Sequence, residues 1–129
     1  MIKHSILLAL TTVLLAGCVT TRDNEDGSVT ARLGQTVNVG GPRVTPLQVL
    51  EDSRCPMEAR CVWAGRVRIL VAWEKADGDR QVEITLGEPT PVADGTLTLT
   101  AVTPSKMAGE GRELAPSDYR FRFQFAGGL

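Results

Sequence analysis

Beyond residue 28 the chain breaks into short runs in which apolar and polar residues alternate with a period of two, separated by Gly, Pro or Asp. No window carries an apolar stripe at helical spacing. Such alternation puts apolar side chains on one face of a strand and polar ones on the other. Val67 to Trp73 is the clearest run: Val67, Ile69, Val71 and Trp73 share one face while Leu70 and Ala72 keep the other apolar, which predicts a central strand covered on both sides. Asp77-Gly78 is a two-residue hairpin signal, so Gln81 to Leu86 is expected to fold back antiparallel with Val82, Ile84 and Leu86 inward. Thr96 to Val102 turns Leu97, Leu99 and Ala101 inward. Asp118 to Phe125 sets Tyr119, Phe121, Phe123 and Phe125 against Arg120, Arg122 and Gln124. This strict alternation reads as a core-facing aromatic stripe rather than a ligand platform.

The other segments are less regular. Val29 to Leu33 and Thr36 to Val39 flank Gly34 as two strands or one bent one, and Gly40-Gly41-Pro42 ends them. Val44 to Leu50 is a strand whose Pro46 argues for an edge position or a bulge. Gly87 to Asp94, with two prolines, reads as a loop, as does the longer stretch Pro104 to Ser117. About seven strands with turn signals every 8 to 12 residues predict one antiparallel β-sandwich over residues 29–129, with an immunoglobulin-like order as one arrangement. A small open barrel is the alternative.

Residues 1–17 follow a different grammar. Lys3 precedes an apolar run from Ile6 to Leu15, interrupted by Thr11 and Thr12 and too short for the roughly 20 residues of a spanning helix. Leu15-Ala16-Gly17-Cys18 resembles the lipobox of bacterial lipoproteins, in which the cysteine sulfur takes a diacylglyceryl group before the peptide is cut ahead of it. That resemblance implies a lipid anchor on Cys18, held stably by several acyl chains. Val19 follows where an Asp would favour inner-membrane retention, so the outer membrane, facing the periplasm, is the expected address. Residues 18–28 are polar and aperiodic, as suits a lipidated cysteine and flexible tether.

With Cys18 assigned to the anchor, Cys55 and Cys61 remain as a pair, and an oxidising compartment makes a disulfide their default state. A redox-active role is disfavoured because the spacing is C-x5-C. The bridge lies in the most unusual stretch of the chain, Asp52-Ser53-Arg54-Cys55-Pro56 through Cys61-Val62-Trp63-Ala64-Gly65. Asp52 and Ser53 are turn-capping residues, Pro56 fixes one backbone angle, Gly65 allows a tight turn, and Trp63 is placed to cover the bridge. The pattern D-S-R-C-P-x4-C-x-W-A-G resembles that of small bacterial secreted proteins and envelope lipoproteins that carry it just before a β-strand. The resemblance implies no particular activity. From the residues themselves, Arg54 and Arg60 could hold an anionic group against Trp63, whereas a purely structural loop would pair Asp52 with Arg54 or Arg60.

Composition narrows the chemistry further. The chain has 129 residues, 43% of them hydrophobic, enough for one core. Its single histidine, His4, lies in the leader, which excludes Ser-His-Asp, Cys-His and imidazole-dependent zinc chemistry from the mature protein. The formal charge is −1 and becomes more negative once Lys3 is removed, which is unlike a nucleic-acid binder. A carboxylate-dependent enzyme would need Glu51 with Asp52, or Glu110 with Glu113. The first two are adjacent and point to opposite faces of a strand; the second two sit in a loop. Asp77 and Asp79 could hold calcium, but the Asp-Gly turn explains them without an ion. The expectation is therefore a non-catalytic interaction or structural module with no cofactor and no metal, contacting the membrane through its lipid and an envelope protein as partner. A ligand-binding module built on the stapled loop is the alternative.

Overall fold

The computed structural model describes residue 17 and residues 24–57, 59–106 and 114–127. Cys18, most of the leader and tether, Glu110 and Glu113 lie outside the described residues. Eight strands are present: β1 (Val29–Ala31), β2 (Val37–Asn38), β3 (Arg43–Asp52), β4 (Val67–Trp73), β5 (Arg80–Thr85), β6 (Thr90–Val92), β7 (Gly95–Thr103) and β8 (Arg120–Gly127). They form two antiparallel sheets, ordered β2-β3-β4-β5 and β1-β8-β7-β6, stacked as a β-sandwich rather than closed into a barrel. Strand neighbours are sequence neighbours except where β1 lies beside β8. The order is that of paired meanders, different from the A-B-E-D and C-F-G sheets of an immunoglobulin domain.

The alternating runs supply the core. Val67, Ile69 and Val71 of β4, Ile84 of β5, Leu97 and Leu99 of β7, and Phe121 and Phe123 of β8 are all fully buried between the sheets. Tyr119 joins them at 7% exposure, its ring stacked on Phe121 with centroids 5.7 Å apart. The aromatic stripe is thus core. The Asp77-Gly78 turn delivers β5 onto β4 in the expected register, with Val71 opposite Val82 and Ile69 opposite Ile84. Gly78 there has φ of 120°, a value that favours glycine.

Four elements differ from the sequence reading. In β7 a register shift between Leu99 and Ala101 turns Val102, rather than Ala101, into the core. The segments around Gly34 are two strands in different sheets; the turn from Arg32 to Gln35, with Gly34 at φ 79°, carries the chain across the sandwich. Within the expected Gly87 to Asp94 loop, Thr90–Val92 pairs with Gly95–Leu97 as an edge strand. Pro91 is tolerated because β6 has a neighbour on one side only. Finally, β3 extends to Asp52 and carries two register shifts, between Pro46 and Gln48 and between Val49 and Glu51. The inserted residues are Leu47 and Leu50, left 39% and 38% exposed. Among the described residues no strand lies beside β3 beyond Val44 on the side away from β4, although the Gly34 N–H donates to the Pro46 carbonyl at 2.7 Å.

Candidate functional site

The segment between β3 and β4 is closed by the expected Cys55–Cys61 disulfide, with Cα atoms 5.9 Å apart. Its base is tied before the bridge is reached. The Ser53 N–H donates to the Arg66 carbonyl at 2.9 Å, and the Arg66 N–H donates back to the Ser53 hydroxyl oxygen at 3.0 Å. Gly65 lies so close to this crossing that a Cβ built on it would stand 1.7 Å from the Ser53 carbonyl oxygen. Here glycine is required by the near contact of two backbones.

Inward of the loop lies a polar clasp between the sheets. Asp52, at the end of β3, receives Arg54 in a two-pronged pairing: Nε to Oδ1 at 2.9 Å and Nη2 to Oδ2 at 3.0 Å. The same guanidinium reaches the other sheet, donating from Nη1 to the Val102 carbonyl at 2.9 Å and from Nη2 to the Pro104 carbonyl at 3.1 Å. The Tyr119 hydroxyl donates to Asp52 Oδ2 at 2.8 Å, and Lys106 Nζ donates to the Asp52 carbonyl at 2.5 Å. Asp52 and Arg54 keep only 6% and 16% of their side-chain surface exposed. Burial pushes the Asp52 carboxyl up, but Arg54, the Tyr119 hydroxyl and Lys106 outweigh it and hold the group below the usual carboxylate range. A buried charge with this many partners is a structural fixture.

Arg54, a candidate anion ligand from the sequence, is therefore spent inside the fold. Arg60 and Trp63 are exposed, Trp63 at 62%, and neither is brought together with Arg54. Trp63, expected to cover the bridge, is left mostly exposed. Val62 is 95% exposed and Met57 is 70% exposed. These three, on one loop, are the most exposed large apolar side chains among the described residues. The loop is also pinned to the β7–β8 connection, where the Met57 N–H donates to the Lys106 carbonyl at 2.9 Å. Tyr119 and Lys106 were invisible as clasp members from spacing alone, because they lie 67 and 54 residues from Asp52.

Beside the loop runs an open groove of about 1190 Å³ between the free edge of β3 and the segments 103–106 and 114–120, lined by Leu33, Leu47, Leu50, Pro56, Leu114 and Tyr119 among others. A shallower depression on the neighbouring surface is bordered by Asn24, Thr30, Ala101, Thr103, Arg120 and Arg122. Thr103 and Arg120 border both.

Neither carboxylate of the Glu51–Asp52 pair is poised as an acid or base. Glu51 points to the opposite side from Asp52, where Arg66 holds it at 2.5 Å and Arg68 at 3.1 Å, and these hydrogen bonds lower its pKa. Arg68 also pairs with Glu83. Asp77 faces Lys75 at 3.9 Å across the hairpin turn. Among the described residues no group of three or more His, Cys, Asp or Glu side chains is placed to hold a metal. No protein-family model, curated protein or solved structure matches the chain.

Proposed function

We propose that this protein is a lipid-anchored module of the bacterial envelope, held at the outer membrane through Cys18, that works by contact rather than catalysis. The outer side of the stapled loop is its contact surface. The observation that carries this reading is the separation of roles within one loop. Asp52, Ser53, Arg54, the two cysteines and Gly65 are all engaged in holding the loop, while Met57, Val62 and Trp63 are exposed on it. Three large apolar side chains this exposed on one short, fixed loop support a contact role there. The lipobox Leu15–Cys18 and a disulfide suited to the periplasm support the address.

Photocrosslinking tests it. A benzophenone side chain placed at position 63 in the full chain should give protein or lipid adducts in cells, whereas one at the exposed Gln81 should give neither, and Cys18→Ser should release the protein from the membrane fraction. Equal adducts from both positions, or none from position 63, would remove the loop as a contact surface.

The groove beside the loop favours a second reading, a site for an amphipathic small molecule whose apolar part lies among Leu33, Leu47, Leu50 and Leu114 and whose polar part meets Lys106 and Arg120. Native mass spectrometry of protein taken from membranes would reveal a co-purifying ligand. Its loss in Leu47→Asp would locate that ligand.

A further inference from the structure

We infer that the partner of the stapled loop is the bilayer carrying the protein's own anchor: Met57, Val62 and Trp63 seat in its headgroup region, with Arg60 beside them toward the phosphates. This rests on the lipoprotein reading above.

The chemistry of the tip comes first. Trp is the side chain best suited to a membrane–water interface, having a large apolar ring and one N–H donor. Val62 and Met57 supply purely apolar surface at 95% and 70% exposure, and the exposed Arg60 has no ion-pair partner among the described residues. Three side chains make a smaller face than the roughly 800 Å² each partner contributes to a standard protein interface. A lipid surface imposes no such minimum. Because the disulfide, the Ser53–Arg66 crossing and the Met57–Lys106 hydrogen bond already hold the loop, little ordering remains to oppose seating.

The tether supplies the second, independent observation. Residues 19–23 alone separate Cys18 from Asn24. Even fully extended, the six steps between those Cα atoms span at most roughly 20 Å. Asn24 does not lie at a remote corner. The Asn24 N–H donates to the Ser28 carbonyl at 2.9 Å, turning the chain back on itself, and Asn24 borders the same depression as Thr103 and Arg120. Those two residues, paired at the loop end of β7 and β8, also border the groove that Pro56 of the stapled loop lines, so the tether root lies over the part of the sheet that leads to the loop. An anchor at Cys18 therefore keeps this part of the domain close to the bilayer, and we take the tip to be the part that meets it. At that effective concentration even weak partitioning suffices to seat it.

The test uses the acylated full-length mature protein, purified from membranes and reconstituted into phosphatidylethanolamine–phosphatidylglycerol vesicles with brominated acyl chains. Wild type is compared with Trp63→Phe. Trp73 closes β4 at the end of the strand remote from the loop and serves as the internal reference. Brominated lipid should quench about half of the Trp63 emission, taken as wild type minus Trp63→Phe, and leave Trp63→Phe itself unchanged. Trp63 is exposed, so its replacement leaves the core intact. Mass analysis of the N-terminal peptide tests the anchor separately. An acylated Cys18 with unquenched Trp63 overturns the membrane contact and leaves the lipoprotein reading standing, whereas an unmodified Cys18 overturns both. Protein adducts from a benzophenone at position 63 in cells, with no quenching, would reassign the tip to a protein partner.

Discussion

Replacing Arg54 by Ala would remove the guanidinium from beside a carboxylate that is 6% exposed, and would strip the donor from the Val102 and Pro104 carbonyls on the opposite sheet. Breaking a buried ion pair from one side costs about 3–5 kcal/mol, because the remaining charge stays desolvated. Two partners of Asp52 survive, the Tyr119 hydroxyl at 2.8 Å and Lys106 Nζ at 3.8 Å, which places Arg54→Ala near the lower end, about 3 kcal/mol. For a domain of about a hundred residues that corresponds to a fall in Tm of roughly 12–20 °C. Thermal and urea unfolding followed by far-UV circular dichroism would measure it. The double variant Asp52→Asn/Arg54→Ala is the diagnostic arm. If the penalty comes from a stranded charge, removing that charge should recover at least about 1 kcal/mol relative to the sum of the single variants. A Tm change under about 3 °C for Arg54→Ala, or strict additivity in the cycle, would refute the clasp and return Arg54 to the pool of available anion ligands.

Three further outcomes are expected. The Asp52 carboxyl is depressed below its ordinary value of 3.8, so its contribution to stability is full above that pH and is lost as the pH falls below it; urea titrations should show an acid limb under about pH 4 that is shallower in Asp52→Asn. Gly65→Ala, which would put a methyl 1.7 Å from the Ser53 carbonyl, should destabilise by at least the upper part of the 1–3 kcal/mol typical of overpacking, read from the urea midpoint. The Cys55→Ser/Cys61→Ser variant should lose about 2 kcal/mol, since the bridge closes a short loop, while its far-UV spectrum stays that of the β-sandwich.

How much of this was legible depended on the range of the interactions. The period-2 runs at Val67 to Trp73 and Tyr119 to Phe125 specify which faces are buried, and the Asp77-Gly78 pair specifies a hairpin, because each signal is contained within a few residues. The pairing of Asp52 with Arg54 is equally local. The rest of the clasp is not: Tyr119 and Lys106 arrive through tertiary packing, and the Val102 and Pro104 carbonyls are backbone groups with no signature in any side chain. The bulges left a trace. Leu47, Val49 and Leu50 depart from strict alternation at the point where the register of β3 slips. Strand β6 was masked by Pro91, which argues against a central strand but says little about an edge. Trp63 went the other way. Its size suggested cover for the bridge, yet it is 62% exposed, because a large ring carries no local signal of which side of a loop it takes.

The slips in β3 also decide what the molecule cannot do. A long strand edge without a neighbour is a template on which a second chain can extend the sheet. Along β3 beyond Val44 the backbone donors and acceptors fall out of phase twice within a few residues, once at Leu47 and again at Leu50, so an incoming strand that matched the first stretch would miss the next. Polymerisation by strand addition is thus denied a continuous track. The two leucines that spoil the regularity of the edge thus also make it a poor template for a second strand.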